Sequence, residues 1–199
     1  MKRIGALFFL YLTACKEHST AQNLINPEAK KMNDSAISVV VHTKDYNRAL
    51  TLLDEAIKID HNYTVAYSNK TSFYVHLNQF DKALASAKQL IEINPKVPEY
   101  YVGAGLICAR LNDTTSSKHY YSQATKLYDK ILDTLNTTDK KYELCLLNKA
   151  FNLKLLGQEQ EANKIFEEIN LNTNSKINKS WLAMLIKTPK EELEKKSLH

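Results

Sequence analysis

Glycine and proline are scarce in this chain, with four of each in 199 residues. Tight β-turns draw on these residues for positive or preset φ, so an all-β fold of many hairpins is excluded. Catalytic signatures are also missing: there is no Gly-rich phosphate loop, no His-Glu-x-x-His and no Gly-x-Ser-x-Gly. The adjacent carboxylates Asp54–Glu55, Glu167–Glu168 and Glu191–Glu192 fall on expected helices, where neighbouring residues do not share a face. They read as solvated surface. The chain is therefore expected not to be an enzyme and to use no cofactor or metal. Its formal charge is +5; without Lys2 and Arg3 there are 25 basic against 22 acidic residues, or +3, too small an excess to imply a nucleic-acid partner.

What is present describes a globular body: 44% hydrophobic and 25% charged residues, in a chain long enough to bury a sizeable core. The first fifteen residues, MKRIGALFFLYLTAC, have a positive start, an apolar run from Ile4 to Leu12, and small residues before Cys15. That order reads as a secretory signal, and the run is far shorter than the roughly 20 residues a permanent membrane helix needs. The ending Leu12-Thr13-Ala14-Cys15 resembles the bacterial lipobox. The resemblance implies a signal peptide over residues 1–14, lipidation of Cys15, and acyl chains that anchor the mature protein without spanning the membrane. Lys16 is not the aspartate associated with inner-membrane retention, so an outer-membrane address, on the periplasmic side or at the surface, is expected. Residues 15–29 read as a flexible tether.

Small residues and aromatics then recur at a fixed period. Ala49 and Ala83 are 34 residues apart, and Ser117 is 34 beyond Ala83. In the most regular stretch, Tyr63 to Pro98, the positions Tyr67, Thr71, Tyr74, Phe80, Ala83, Ala87 and Pro95 resemble the tetratricopeptide signature. An earlier copy carries Ala36, Val40, Tyr46, Ala49, Leu53 and Ala56, with Asn33 where the signature prefers tryptophan and Ile37 where it prefers a small residue. A third copy runs from Pro98 through Tyr101, Gly105, Cys108, Ser117, Tyr121 and Ala124. The apolar period of its second helix continues to Leu135, which predicts a helix about three turns longer than its counterparts. A fourth begins near Glu143 and carries Leu146, Ala150, Leu153, Ala162 and Phe166, with Gly157 at the turn; Ser117 to Ala162 is 45 residues, an insertion of 11.

The resemblance implies an all-α, right-handed α-solenoid of antiparallel helix pairs, with about four repeats over residues 30–170 and capping helices in 171–199. The apolar segment around Trp181, Leu182, Leu185 and Ile186 is the expected cap. Thr188-Pro189-Lys190-Glu191 reads as a capping box, with proline at the first position of a charged final helix.

First helices line the concave surface in this family, so the resemblance places candidate binding residues there. His42, His76 and Arg110 are successively 34 residues apart and would form a basic strip; its histidines would strengthen binding of an acidic peptide at lower pH. Individually solvated polar residues are the alternative. Val102 and Leu106, with Leu147, Phe151 and Leu155, would form an apolar floor, open to a peptide or covered by the chain's own C-terminal helix. Asn69 and Asn148 match asparagines that hold a peptide carboxylate in some members, but Ser68, Val102 and Gly103 stand where further polar groups would be needed, which disfavours that mode. Cys108 and Cys145 would lie on the order of 12 Å apart along the axis, beyond disulfide reach, and are expected to be buried free thiols.

The implied function is a non-catalytic, lipid-anchored scaffold of the bacterial cell envelope that holds a partner protein or peptide in its groove. The alternatives are an accessory subunit of an outer-membrane assembly or surface nutrient-uptake complex and, more remotely, an envelope enzyme.

Overall fold

Asn26 opens the first helix: its side-chain oxygen accepts hydrogen bonds from the Glu28 and Ala29 amides at 2.9 and 3.4 Å, and Pro27 occupies the first helical turn. The computed structural model describes residues 25–172, 175 and 177–198; the signal peptide and Cys15 lie outside the described residues. Ten α-helices follow one another among the described residues: α1 Pro27–Thr43, α2 Tyr46–Ile59, α3 Thr64–His76, α4 Phe80–Ile93, α5 Pro98–Arg110, α6 Thr114–Leu132, α7 Lys140–Leu156, α8 Glu159–Leu171, α9 Lys179–Lys187 and α10 Lys190–Ser197. No strand occurs among these residues. The fold is all-α, built of helix pairs of α-solenoid type. Because α1 starts at Pro27, helical structure reaches three residues into the stretch expected to be tether.

The described residues fall into two compact units, 25–95 and 96–198. In the first, α1 pairs with α2 and α3 with α4, and α2 packs on α3. Its core includes the alanines Ala36, Ala49, Ala56 and Ala66 and the larger Leu53, all fully buried. Val40 and Tyr46, expected inside, are only half-buried. In the second, α5–α6 and α7–α8 are the pairs, α7 packs on α6, α9 packs on α8, and α10 folds back against α5 and α7.

The repeat is written into the backbone as well as the side chains. Among the described residues, positive φ occurs at Lys44, Asn78, Asn112 and Gly157, with φ of 59°, 57°, 60° and 90°. Their spacing of 34, 34 and 45 residues matches that of Ala49, Ala83, Ser117 and Ala162. Each lies between the two helices of a repeat and turns the chain. In the last three, the following amide bonds to a carbonyl five residues back: Gln79 to Tyr74 at 2.8 Å, and Asp113 to Cys108 and Gln158 to Leu153 at 2.9 Å. This closes the helix end as a Schellman turn. Glycine enters the left-handed region without cost and asparagine offsets part of the cost through its short polar side chain, whereas lysine bears the full crowding of its Cβ against the carbonyl. Lys44→Gly is therefore expected to stabilise the protein by about 0.5–1 kcal/mol, seen as a higher urea midpoint at unchanged slope.

Two further sequence expectations need correction. Helix α6 has 19 residues against 14 in α2 and α4, so it is longer by about 1.4 turns, not three. It ends at Leu132, and Leu135 lies in the turn that follows. The capping box at Thr188 does not form either. The Thr188 hydroxyl instead donates to the Met184 carbonyl at 2.8 Å, closing α9, and Pro189 is the N-cap of α10, outside its first turn.

Candidate functional site

The 96–198 unit is organised around α7, whose residues from Ala150 to Leu155 are buried on every side. Val102 and Leu106 on α5, and Leu147, Phe151 and Leu155 on α7, are no more than 2% exposed. The expected apolar floor is therefore interior in this structure, and α10 packs on the two helices that carry it.

Polar groups interleave with those apolar ones. Asn152 Nδ2 donates to the Tyr121 carbonyl and to Thr125 Oγ1, both at 2.8 Å, tying α7 to α6. Tyr121 is fully buried beside Gly105, the small residue where α5 and α6 cross. Its hydroxyl makes no hydrogen bond of normal geometry; Ser117 and, from α10, Glu194 are its electrostatic neighbours. Burial first, and the Glu194 carboxylate second, push the phenol far above its ordinary range. Burial likewise raises Glu194, against the opposing pull of Lys190.

Nothing in the sequence singles out Lys154, yet its side chain is 1% exposed. Its ammonium donates to the Leu185 and Ile186 carbonyls at 2.7 Å each, two of the orphan acceptors at the C-terminus of α9. Burial pulls its pKa down, and Glu159 pushes it back up. A buried cation at the negative end of a helix is a favourable arrangement, so Lys154 acts as a clamp between α7 and α9.

The 25–95 unit differs in what it exposes. His42 and His76 are both exposed, at the ends of α1 and α3. His42 Nδ1 lies 2.8 Å from the Ser38 carbonyl, which can only accept, so Nδ1 is the donor in this contact. His76 stacks on Tyr46, with ring centroids 4.3 Å apart. Aliphatic residues on the same two helices also face solvent: Val41 is 60% exposed and Val65 38%. Arg110 closes α5 in the other unit and is half-buried.

Asn69 and Asn148 occupy the same register, nine residues before Asn78 and Gly157. Both turn back on the chain itself. Asn69 Nδ2 donates to Asn33 Oδ1 at 2.7 Å, and Asn148 Nδ2 approaches Glu99 Oε1 at 3.5 Å. Lys70, which stands where the signature prefers leucine, forms an ion pair with Asp54. Cys108 and Cys145 are buried and are not joined by a disulfide. Among the described residues, no helix is long and apolar enough to cross a membrane, and no three His, Cys, Asp or Glu side chains cluster as metal ligands.

Comparison with known proteins agrees with this architecture. Two tetratricopeptide-repeat family models match, over residues 41–104 and 98–131. Human Tetratricopeptide repeat protein 28 is 35% identical over 65 residues, 33% of this chain and 3% of that protein. Heat shock protein STI1 of Saccharomyces cerevisiae is 29% identical over 106 residues, 53% of this chain and 17% of that protein. The chain thus spans under a fifth of the length of either relative. Among solved structures, PilW, described as a widely conserved type IV pilus biogenesis factor, superposes with a TM-score of 0.51 at 24% identity, covering 72% of this chain and 61% of PilW; this is a likeness of fold. With the recurrent helix pairs and the 34-residue turn positions, these matches make the chain a member of the tetratricopeptide repeat proteins.

Proposed function

We propose that this chain is a non-catalytic scaffold that holds a partner protein or peptide on the first-helix face of its 25–95 unit, and that a lipid on Cys15 tethers it in the bacterial cell envelope, at the outer membrane. Tetratricopeptide repeats serve as protein-interaction modules, which supports the first part. The observation that carries the choice of face is a contrast in exposure. Val41 and Val65 on α1 and α3 are exposed, as are His42 and His76 at the C-terminal ends of the same helices, whereas Val102, Leu106, Leu147, Phe151 and Leu155 on α5 and α7 are buried. Helices that expose both aliphatic side chains and imidazoles suit an amphipathic or extended peptide with acidic groups.

A pull-down compares wild type with a His42→Ala/His76→Ala variant. At least a tenfold loss of one specific partner is expected, about 1.4 kcal/mol. Equal recovery of every partner removes the two imidazoles from the binding surface.

The lipid tether rests on the lipobox-like Leu12-Thr13-Ala14-Cys15. Cys15→Ser is expected to move the protein from the membrane to the soluble fraction, because the acyl chains supply the anchoring. Continued membrane association after a high-salt wash counts against lipidation.

A further inference from the structure

The C-terminal helix α10 rests on α5 and α7, which are first helices of their repeats and so belong to the same kind of face proposed above for binding. We propose that α10 is an autoinhibitory latch: docked, it occupies the α5–α7 face in cis; released, it leaves that face to an amphipathic helix of like chemistry, with leucines five residues apart and an acidic residue beside the first. The inference rests on the reading of first-helix faces as binding surfaces and names the ligand class for this unit.

Three observations separate α10 from the rest of the fold. Its apolar grip is small: Leu193 is 3% exposed and Leu198 7%. Its polar bonds run mostly within itself. Lys190 pairs with Glu194 at 3.8 Å, Glu192 pairs with Lys196, and the Ser197 hydroxyl donates to the Leu193 carbonyl at 2.6 Å. Its N-cap, Pro189, offers no side-chain bond. A helix of eight residues is marginal alone, since isolated helices below about 12 residues barely form in water. It therefore holds its shape only while docked.

The neighbouring α9 is fastened independently by Lys154 to the Leu185 and Ile186 carbonyls. Only Thr188 and Pro189 separate α9 from α10, and proline cannot extend a helix C-terminally by donating an amide. This junction lets α10 leave without dragging α9 away. Where it docks, Glu194 is the α10 carboxylate set against the buried Tyr121 hydroxyl.

The probe is a fluorescent synthetic peptide of residues 188–198, TPKEELEKKSL, titrated by anisotropy into full-length protein. The Leu193→Asp variant, which breaks the cis grip, is expected to bind the peptide at least tenfold more tightly than wild type. Equal affinity in wild type and Leu193→Asp, or no binding by a Leu193→Asp protein of native helix content, overturns the proposal. Hydrogen exchange on wild type tests it without substitution. The α10 amides are expected to exchange well ahead of those of α5 and α7, and exchange of α10 only together with them also overturns it. The ligand is this chain's own segment, so either failure leaves the partner pull-down on the 25–95 face standing, and failure of that pull-down leaves the latch measurement intact.

Discussion

Gly105→Ala is expected to destabilise the protein by about 3 kcal/mol, although alanine is the better helix former by roughly 1 kcal/mol. A Cβ at this position would lie 2.4 Å from Cε1 and 2.6 Å from Cδ1 of Tyr121, well inside van der Waals contact. Tyr121 cannot yield easily: it is fully buried, its carbonyl is held by Asn152, and close-packed interiors have no void to receive a displaced ring. The melting temperature should fall by roughly 10 °C for a chain of this size. Gly103→Ala is the control, since a Cβ there would meet nothing within 4 Å; helix propensity acts alone and stability should rise by about 0.5–1 kcal/mol. If the two substitutions shift the melting temperature alike, the close crossing of α5 and α6 is not what constrains Gly105. Replacing Tyr121 with leucine in the Gly105→Ala background should recover part of the loss, a coupling that a double-mutant cycle reads directly.

Lys154→Met should unfasten the C-terminal helices. Methionine keeps most of the apolar stem but removes both charge-assisted hydrogen bonds to the Leu185 and Ile186 carbonyls, each worth about 1.5–3 kcal/mol, and leaves two acceptors at the end of α9 without their donor. A loss of about 3 kcal/mol is expected, concentrated in α9 and α10 because those bonds are what tie α9 to α7. Trp181, the only tryptophan, lies in α9 and reports locally. Its fluorescence should change at lower urea than the far-ultraviolet circular dichroism signal, whereas in wild type the two should coincide more closely. Coincident transitions at the wild-type midpoint would show that the clamp contributes little. Lys149→Met provides the contrast: its 2.7 Å pair with Asp129 has a half-exposed partner, and such pairs contribute about 0–1 kcal/mol.

The repeats are legible in the sequence because each is a local pattern copied along the chain. Ala49, Ala83 and Ala162 are where two helices of a pair approach closely, and all three are fully buried; a residue's own spacing to its neighbours says this much. Gly157 is legible for a similar reason, as a glycine between two apolar periods. Lys44 is not, since lysine gives no signal for the left-handed backbone it adopts there; only its distance of 34 residues from Asn78 carries the information. The candidate site is less legible. Asn69 and Asn148 read equally well as ligand groups, but they spend their amides on Asn33 and Glu99, and that depends on what lies across from them.

An all-α chain of helix pairs, the point where its repeats begin to drift, and the buried face of most helices all follow from residue order alone, because helix periodicity ties burial to spacing along one segment. What covers each first-helix face follows only from how the helices meet. Val41 and Val65 remain in solvent, while Val102, Leu147 and Phe151 are buried and α10 lies on their helices. The same packing makes Lys154, in the middle of a buried run, a clamp and not a surface charge. Both outcomes have one cause. An amphipathic pattern specifies that a surface must be covered or a charge satisfied, but the accepting carbonyls come from about thirty residues further along the chain and the covering helix from further still, beyond the range over which local spacing carries information.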